Sequence, residues 1–289
     1  MLYRVLVKQD LAPQVKLLKV RAPAIAQKAK PGQFVIVIVD ERGERVPLTL
    51  VDWNKENGDV TLVFQEVGMS TRKLGSLDVG DEILHVLGPL GNPSDTNYQG
   101  TVAVVCGGVG TAAAYPVAKA LKAQGNEVIS IMGARNKDLL ILESEMKNVS
   151  DQLHISTDDG SKGHKGFVSE VLKSLITQGT KLNSVYAVGP PLMMRAVTEV
   201  TRPYGIKTIV SLNPIMVDGM GMCGACRVGV GGQTKFACVD GPEFDGHNVD
   251  FNELINRLRM YQAEEKLANQ FHESHDGLVA SKTKRKSVP

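Results

Sequence analysis

Aromatic side chains are scarce in this chain, at 5% of 289 residues with a single tryptophan. That argues against a surface of stacked rings for carbohydrate or single-stranded nucleic acid. An excess of one charge is also missing. Lys and Arg number 33 against 31 Asp and Glu, a net charge of +2, too balanced for a nucleic-acid footprint. No apolar run approaches the ~18–20 residues of a membrane span, and the start, MLYRVLVKQD, has no apolar leader. A cytoplasmic protein with no membrane segment is the expectation. Cysteine is sparse as well, at four, yet three of the four crowd into one stretch.

That stretch is Asp218-Gly-Met-Gly-Met-Cys223-Gly-Ala-Cys226, with Cys238 further on. Thiolates are soft ligands suited to iron–sulfur clusters and to zinc. The plant-type [2Fe–2S] pattern is C-x4-C-x2-C followed by a distant Cys. Here the pattern is D-x4-C-x2-C-x11-C, with the carboxylate of Asp218 in register for the first thiolate. Three readings are open. A disulfide is disfavoured without a leader segment. Structural zinc usually takes two separated Cys or His pairs, and only one CxxC is present. A cluster held by Asp218, Cys223, Cys226 and Cys238 fits the spacing best, with Asp218 as a mere loop residue beside three thiols still open.

Residues 1–98 are expected to form short strands at 3–9, 15–21, 34–39, 48–53, 59–67 and 82–87, with helical character only around 70–75. Strands so spaced suggest a closed antiparallel barrel. Within it, Gly68 precedes Ser70 and Thr71 at a short helical turn. Such a turn offers N–H donors to a phosphate, although taken alone an ordinary helix cap by Ser70 or Thr71 is the favoured reading.

Residues 99–212 alternate strands and helices. Strands are expected at 101–106, 127–132, 153–157, 184–188 and 207–212, and helices at 112–124, 137–147, 168–178 and 192–204. The run 101–106 has no polar alternation, as in a strand buried on both faces. It enters Gly107-Gly108-Val109-Gly110-Thr111 and then a helix, the dinucleotide-binding order of strand, glycine turn and helix. A doubly wound parallel sheet follows, with ligands at the strand C-termini. Cys106 is expected to be a small hydrophobe, with a role beside the nicotinamide left open by its place at the glycine loop. Arg135 and Lys137 stand where a 2′-phosphate could sit, which leaves NADP(H) beside NAD(H). Residues 213–246 form a Gly- and Cys-rich lobe. A helix is expected over 250–265, and a basic disordered tail over 281–289 within the terminal segment 247–289.

Several segments resemble the ferredoxin-NADP reductase-like family, and within it the electron-transfer subunits of dihydroorotate dehydrogenase. They are Arg45-Val-Pro47-Leu48-Thr49, Gly68-Met-Ser70-Thr71, Gly88-Pro-Leu-Gly91, Cys106-Gly-Gly-Val-Gly110, Gly133-Ala-Arg135, Thr157-Asp-Asp159-Gly160 and Gly189-Pro190-Pro-Leu-Met193-Met194. The resemblance spans about residues 1–265. It implies a β plus α/β fold: an antiparallel FAD-binding barrel (1–98), a nucleotide-binding sheet (99–212) and a small [2Fe–2S] lobe (213–246). It implies that Arg45, Pro47, Leu48 and Thr49 face the flavin, Thr49 being catalytic beside N5, and that Gly68, Ser70 and Thr71 hold its diphosphate. Gly107, Gly108, Gly110 and Thr111 would approach the NAD(P) pyrophosphate, Gly189, Pro190 and Met193 would flank that cofactor, and Asp158 would lie near its adenosine half.

The Asp at 218 and the helix after the lobe resemble a subgroup of electron-bifurcating ferredoxin:NADP oxidoreductase subunits. For it the resemblance implies a larger flavin and [4Fe–4S] partner like the small subunit of glutamate synthase, with ferredoxin reached through the complex. The alternatives are the pyrimidine-pathway subunit with the same cofactors, and a zinc-bearing binding module that is no enzyme.

Overall fold

Val, Ile and Leu on one face of successive strands dictate the first half of the molecule. The computed structural model describes residues 3–270. It builds β1 (Tyr3–Ala12), β2 (Val15–Arg21), α1 (Pro23–Lys28), β3 (Phe34–Ile38), β4 (Val46–Asn54), β5 (Asp59–Gln65), α2 (Met69–Ser76), β6 (Glu82–Ile83) and β7 (His85–Leu90). These strands form one sheet in the order β6-β1-β2-β5-β4-β3-β7. Only Leu84 separates the two edge strands in sequence, so the sheet curls into a nearly closed antiparallel barrel. Val5, Leu18, Val20, Val37, Leu50, Val60 and Leu62 fill its interior. Helix α1 was not expected. Pro23 presets its first turn, and Ile25 and Ala26 bury against the barrel core.

The second half is built from β8 (Thr101–Gly107), α3 (Gly110–Ala123), β9 (Glu127–Ala134), α4 (Glu143–Asn148), β10 (Gln152–Thr157), β11 (His164–Lys165), α5 (Val168–Thr177), β12 (Ser184–Val188), α6 (Pro191–Thr201) and β13 (Lys207–Ser211). Its sheet order is β11-β10-β9-β8-β12-β13, all parallel. In β8, Val102, Val104 and Cys106 pack towards α3 and α4, while Ala103 and Val105 pack towards α5 and α6. Both faces are covered, which is why the strand carries no polar alternation. The helix expected over 137–147 is instead a 3₁₀ turn at Lys137–Leu139 followed by α4, with Leu142 left-handed between them. Packing explains the break: Ile141 turns in against Val15, Val51 and Val63 of the barrel.

The remaining chain forms β14 (Arg227–Val230), β15 (Gln233–Phe236), β16 (Glu243–Asp245) and α7 (Phe251–Leu258). Strands β14 and β15 make a hairpin, and β16 pairs antiparallel with β13 at the edge of the parallel sheet. The helix expected over 250–265 is α7 alone, capped by Asp250 accepting from the Glu253 N–H. A second helical stretch over 262–270 follows after a turn. The basic tail 281–289 lies outside the described residues. No helix among the described residues is long and apolar enough to cross a membrane.

Two short segments hold the parts together. Gln33 and Pro31 of the barrel bond to the chain after β7: Gln33 Nε2 donates to the Gly91 carbonyl at 2.8 Å, and the Ser94 N–H to the Pro31 carbonyl at 2.9 Å. The Asn92 N–H donates to the Gly241 carbonyl at 2.7 Å, and Asn92 Nδ2 to the Val239 carbonyl at 3.1 Å. Further along, buried Asn126 accepts from the N–H of Gln99 at 2.7 Å and of Gly100 at 3.2 Å. It donates to the carbonyls of Asn97 at 3.2 Å and Leu121 at 2.9 Å. Asn126→Ala strips these partners from buried groups and should cost roughly 3 kcal/mol. The urea-unfolding midpoint followed by circular dichroism checks this; a loss below about 1 kcal/mol would mean that water replaces the side chain.

Candidate functional site

The C-terminal ends of the parallel strands face the outer wall of the barrel, and a cleft of about 990 Å³ runs between them. From the barrel come Pro47, Leu48 and Thr49 on β4, Val63 and Gln65 on β5, and Thr71 on α2. From the parallel sheet come Gly107, Gly108 and Gly110 after β8, Arg135 after β9, Asp158 after β10, and Gly189, Pro190 and Met193 after β12. Pro214, Met216 and Pro242, which flank the cysteine loop in sequence, line it too.

Glycine is required at two of these positions. Gly108 has φ +55° with open space where a side chain would stand. At Gly110 a Cβ would come within 2.6 Å of the Val188 carbonyl. This tight approach of the β8–α3 turn to the end of β12 leaves a bare backbone wall facing the cleft. Such a wall at the start of a 14-residue helix fits a dinucleotide pyrophosphate.

Arg45, Gly68, Ser70 and Thr111 do not line the cleft. Arg45 is exposed before β4. Ser70 donates to Glu44 at 2.6 Å. Thr71 accepts from the N–H groups of Val67 and Gly68, both at 3.1 Å, and donates back to the Gly68 carbonyl at 3.0 Å, so its hydroxyl caps its own helix. Thr111 is buried and bonds the Cys106 thiol. Burial pushes that thiol up to about 12, which keeps it protonated and supports its reading as a small hydrophobe. Arg135 and Asp158 are exposed on the same cleft wall, so a cation and an anion both stand near any ligand bound there.

The cysteine loop takes its shape from the hairpin. Cys226 sits just before β14 and Cys238 just after β15, so the eleven intervening residues are the hairpin and its flanks. Gly231 and Gly232, at φ +59° and +74°, make its tight turn. The Ala237 N–H donates to the Cys226 carbonyl at 3.1 Å, which brings the two thiols to 3.1 Å, unbridged and buried. Burial, then the neighbouring Cys226 thiol, pushes Cys238 up to about 12. Cys223 is exposed on the same loop, and its sulfur accepts from the Ala225 N–H at 3.5 Å.

The Asp218 carboxylate accepts from the N–H groups of Met220 at 2.9 Å, Met222 at 3.0 Å and Cys223 at 2.7 Å. Those bonds, led by Met220, hold its pKa below the usual carboxylate value. In this arrangement no three His, Cys, Asp or Glu side chains among the described residues converge on one metal ion. The donor chemistry nonetheless fits an iron–sulfur cluster. Three unbridged thiols and a carboxylate share one loop and one hairpin end, and main-chain N–H groups already point at sulfur.

A buried polar junction near the cleft had no signal in the sequence. Glu243 on β16 accepts from the hydroxyls of Ser94 and of Tyr186, the latter at 2.9 Å, joining the chain after β7, strand β12 and the edge strand. Phe167, 62% exposed at the cleft rim, is the N-cap residue of α5, and a large apolar residue at a helix cap is a cue visible in the sequence.

Residues 213–250 match the family model of the iron–sulfur cluster binding domain of dihydroorotate dehydrogenase B, and residues 104–199 match the oxidoreductase NAD-binding domain. A Thermotoga maritima protein named as a homolog of the dihydroorotate dehydrogenase B (NAD(+)) electron transfer subunit is 49% identical over 261 residues, covering 90% of this chain and 92% of its own. The Clostridium perfringens electron transfer subunit of that enzyme is 32% identical, covering 78% and 88%. Among solved structures, a chain of the NADH-dependent reduced ferredoxin-NADP oxidoreductase, solved in work on flavin-based electron bifurcation, superposes with a TM-score of 0.89. It is 46% identical, with 94% of this chain and 98% of that one covered. Phthalate dioxygenase reductase, at 16% identity, TM-score 0.56 and 80% and 86% coverage, shares the fold alone.

Burial raises the Glu243 carboxyl above its ordinary value. The folded protein therefore keeps a proton that the unfolded chain releases. This contributes stability below the unfolded pKa of ~4.3 and is lost as pH rises through the folded value. Glu243→Gln keeps an acceptor for Ser94 and Tyr186 and has no proton to lose. The stability gap in favour of the variant should widen between about pH 4 and pH 8. Thermal unfolding across that range checks it, and a gap independent of pH would show that Glu243 does not titrate in the fold.

Proposed function

The chain belongs to the family of dihydroorotate dehydrogenase B electron-transfer subunits and their homologues, and from that premise we propose that it serves an NAD(H)-linked, electron-bifurcating ferredoxin:NADP oxidoreductase. It is an oxidoreductase subunit, and the cofactors of its family and fold are FAD, a [2Fe–2S] cluster and NAD(H). The observation that carries the reading is the single cleft shared by the barrel, the glycine ends of the parallel strands and the two arms of the cysteine loop.

In this reading residues 1–98 hold FAD, 99–212 the nicotinamide cofactor and 213–246 the cluster, with α7 behind it. When bound, these groups supply hydride exchange between nicotinamide and flavin and one-electron transfer through the cluster. The chain's own residues bind, orient and exclude water. Pro47 and Leu48 offer an apolar wall for the flavin. The Thr49 hydroxyl on the same wall is the polar group suited to its reactive edge. Gly107, Gly108 and Gly110 offer the nucleotide a wall without side chains, and Gly189, Pro190 and Met193 close the opposite side. Asp158 suits a ribose hydroxyl and Arg135 a 2′-phosphate on the same wall, and NAD(H) is preferred on the likeness to the NADH-dependent chain. Arg45, Gly68, Ser70 and Thr111 stand off the cleft and serve by shaping its loops. Asp218, Cys223, Cys226 and Cys238 would hold the cluster.

The proposed partner is a larger flavin and [4Fe–4S] subunit like the small subunit of glutamate synthase. Exposed Val217, Met220, Met222 and Val239 surround the cysteine loop and suit a protein surface that receives electrons. The bifurcating reading is preferred over the pyrimidine-pathway subunit on two grounds: the likeness to the ferredoxin-NADP oxidoreductase chain, 46% identical with a TM-score of 0.89, and Asp218 in register for the first cluster Cys.

The test is a visible spectrum of anaerobically purified protein with iron, acid-labile sulfide and co-purifying chains measured. Flavin bands with about two irons and two sulfides per chain are expected. Flavin without iron would leave a plain reductase, and neither would remove the reading. Asp218→Cys should keep the cluster with a shifted potential, read by redox titration; an unchanged potential would show that Asp218 is not a ligand.

A further inference from the structure

The cysteine loop is gripped from outside by two arginines. Arg227 Nη1 donates to the Gly224 carbonyl at 3.1 Å, and Arg257 Nη2 donates to the Ala225 carbonyl at 3.0 Å. These carbonyls belong to the last two peptide groups between Cys223 and Cys226. The first of those groups has its other end on sulfur, since its N–H is the Ala225 N–H that points at Cys223 Sγ at 3.5 Å. A guanidinium therefore sits at the oxygen of a peptide whose N–H faces a thiol. A positive charge on a carbonyl oxygen polarises the amide and strengthens its N–H as a donor.

Arg257 carries a second anomaly. It is half-buried on α7, one turn beyond Leu254, which packs in the core with Cys226 and Cys238. Among the described residues no carboxylate pairs with it, and its Nε is buried without an acceptor. Glu253, four residues earlier on α7, forms no ion pair with it either. A half-buried guanidinium without a counter-charge is costly. The anion that compensates it must come from elsewhere, and the group facing the inner side of the same loop is the one the cysteines would hold.

Resting on the reading of this loop as the cluster site, we propose that Arg257, seconded by Arg227, is a positioning residue that raises the reduction potential of the iron–sulfur cluster. Arg227 holds the peptide whose N–H faces the Cys223 sulfur, Arg257 holds the next peptide of the loop, and Arg257 sets a cation beside a centre that gains one negative charge when it takes one electron. Both effects favour the reduced state. The cation is delivered by α7, so the helix after the cluster lobe is part of the redox centre rather than an appendage.

The test is an EPR-monitored redox titration of the anaerobically purified full-length protein with its co-purifying subunit, with iron and sulfide counted first. Arg257→Gln should keep the cluster and lower its midpoint by about a tenfold change in the one-electron equilibrium constant, or 59 mV. Arg257→Lys, which keeps the charge, should fall less. Arg227→Gln should lower the midpoint by a smaller step, because that side chain is exposed and screened. Arg259→Gln, exposed at the end of the same helix, should leave it in place.

A fully loaded Arg257→Gln protein at the wild-type potential overturns the proposal, as does an Arg259→Gln shift of equal size. Arg257→Lys falling as far as Arg257→Gln overturns the role of charge. If Arg257→Gln loses its iron, Arg227→Gln decides: a lowered potential supports the proposal and an unchanged one overturns it. Wild-type protein without iron or sulfide would instead remove the cluster reading on which the proposal rests.

Discussion

The segment Gly91–Ser94 is the constraint on which the rest of the molecule depends. Within four residues it bonds the barrel through Gln33 and Pro31, the cysteine lobe through Val239 and Gly241, and the edge strand through Glu243. The bonds of Gln33 and of Ser94 with Glu243 are part-buried, where an unmet polar group costs about 1–3 kcal/mol. With these bonds in place the barrel cannot slide over the parallel sheet without stranding several groups at once. The Leu212 N–H adds a bond to the Pro242 carbonyl at 2.9 Å and extends the same staple into β13.

A fixed junction matters because the chemistry implied here needs fixed distances. Hydride exchange requires two rings held in contact, and electron transfer requires a centre held nearby. One cleft is walled by residues from the barrel, the parallel sheet and the segments that flank the cysteine loop, so one packing arrangement sets their spacing. The cysteine loop rests on the barrel as well: a Cβ at Gly219 would stand 2.7 Å from Leu90 and 3.1 Å from Ile36. Backbone approach that close couples the loop to strands β3 and β7 of the barrel.

The loop is also where local and long-range order meet. Asp218 organises it from within by collecting three N–H groups, and Arg227 and Arg257 hold its carbonyls from outside. Inner face and outer face are thus both charged, with opposite signs. The N–H groups left between them can turn to sulfur, as that of Ala225 does.

The sequence by itself determined the short strands of the barrel half, the alternating strands and helices of the second half, and the two glycine-rich loops. These features are written in local signals: period-two alternation, apolar runs such as 101–106, and turns that need glycine at Gly108 or at Gly231 and Gly232. The spacing of the cysteines was legible for the same reason, because Cys226 and Cys238 flank a hairpin whose length sets their separation.

Only the tertiary structure decided the rest. Ile141 breaks an otherwise helical stretch because the barrel offers it a buried site, and β16 joins the parallel sheet from a lobe that precedes it by no recognisable strand signal. Glu243 meets Ser94 across 149 residues, and Arg257 reaches the Ala225 carbonyl across 32. Such partners share no local pattern. They are selected by which polar groups the packed layers leave unmet, and that is known only once the layers have come together.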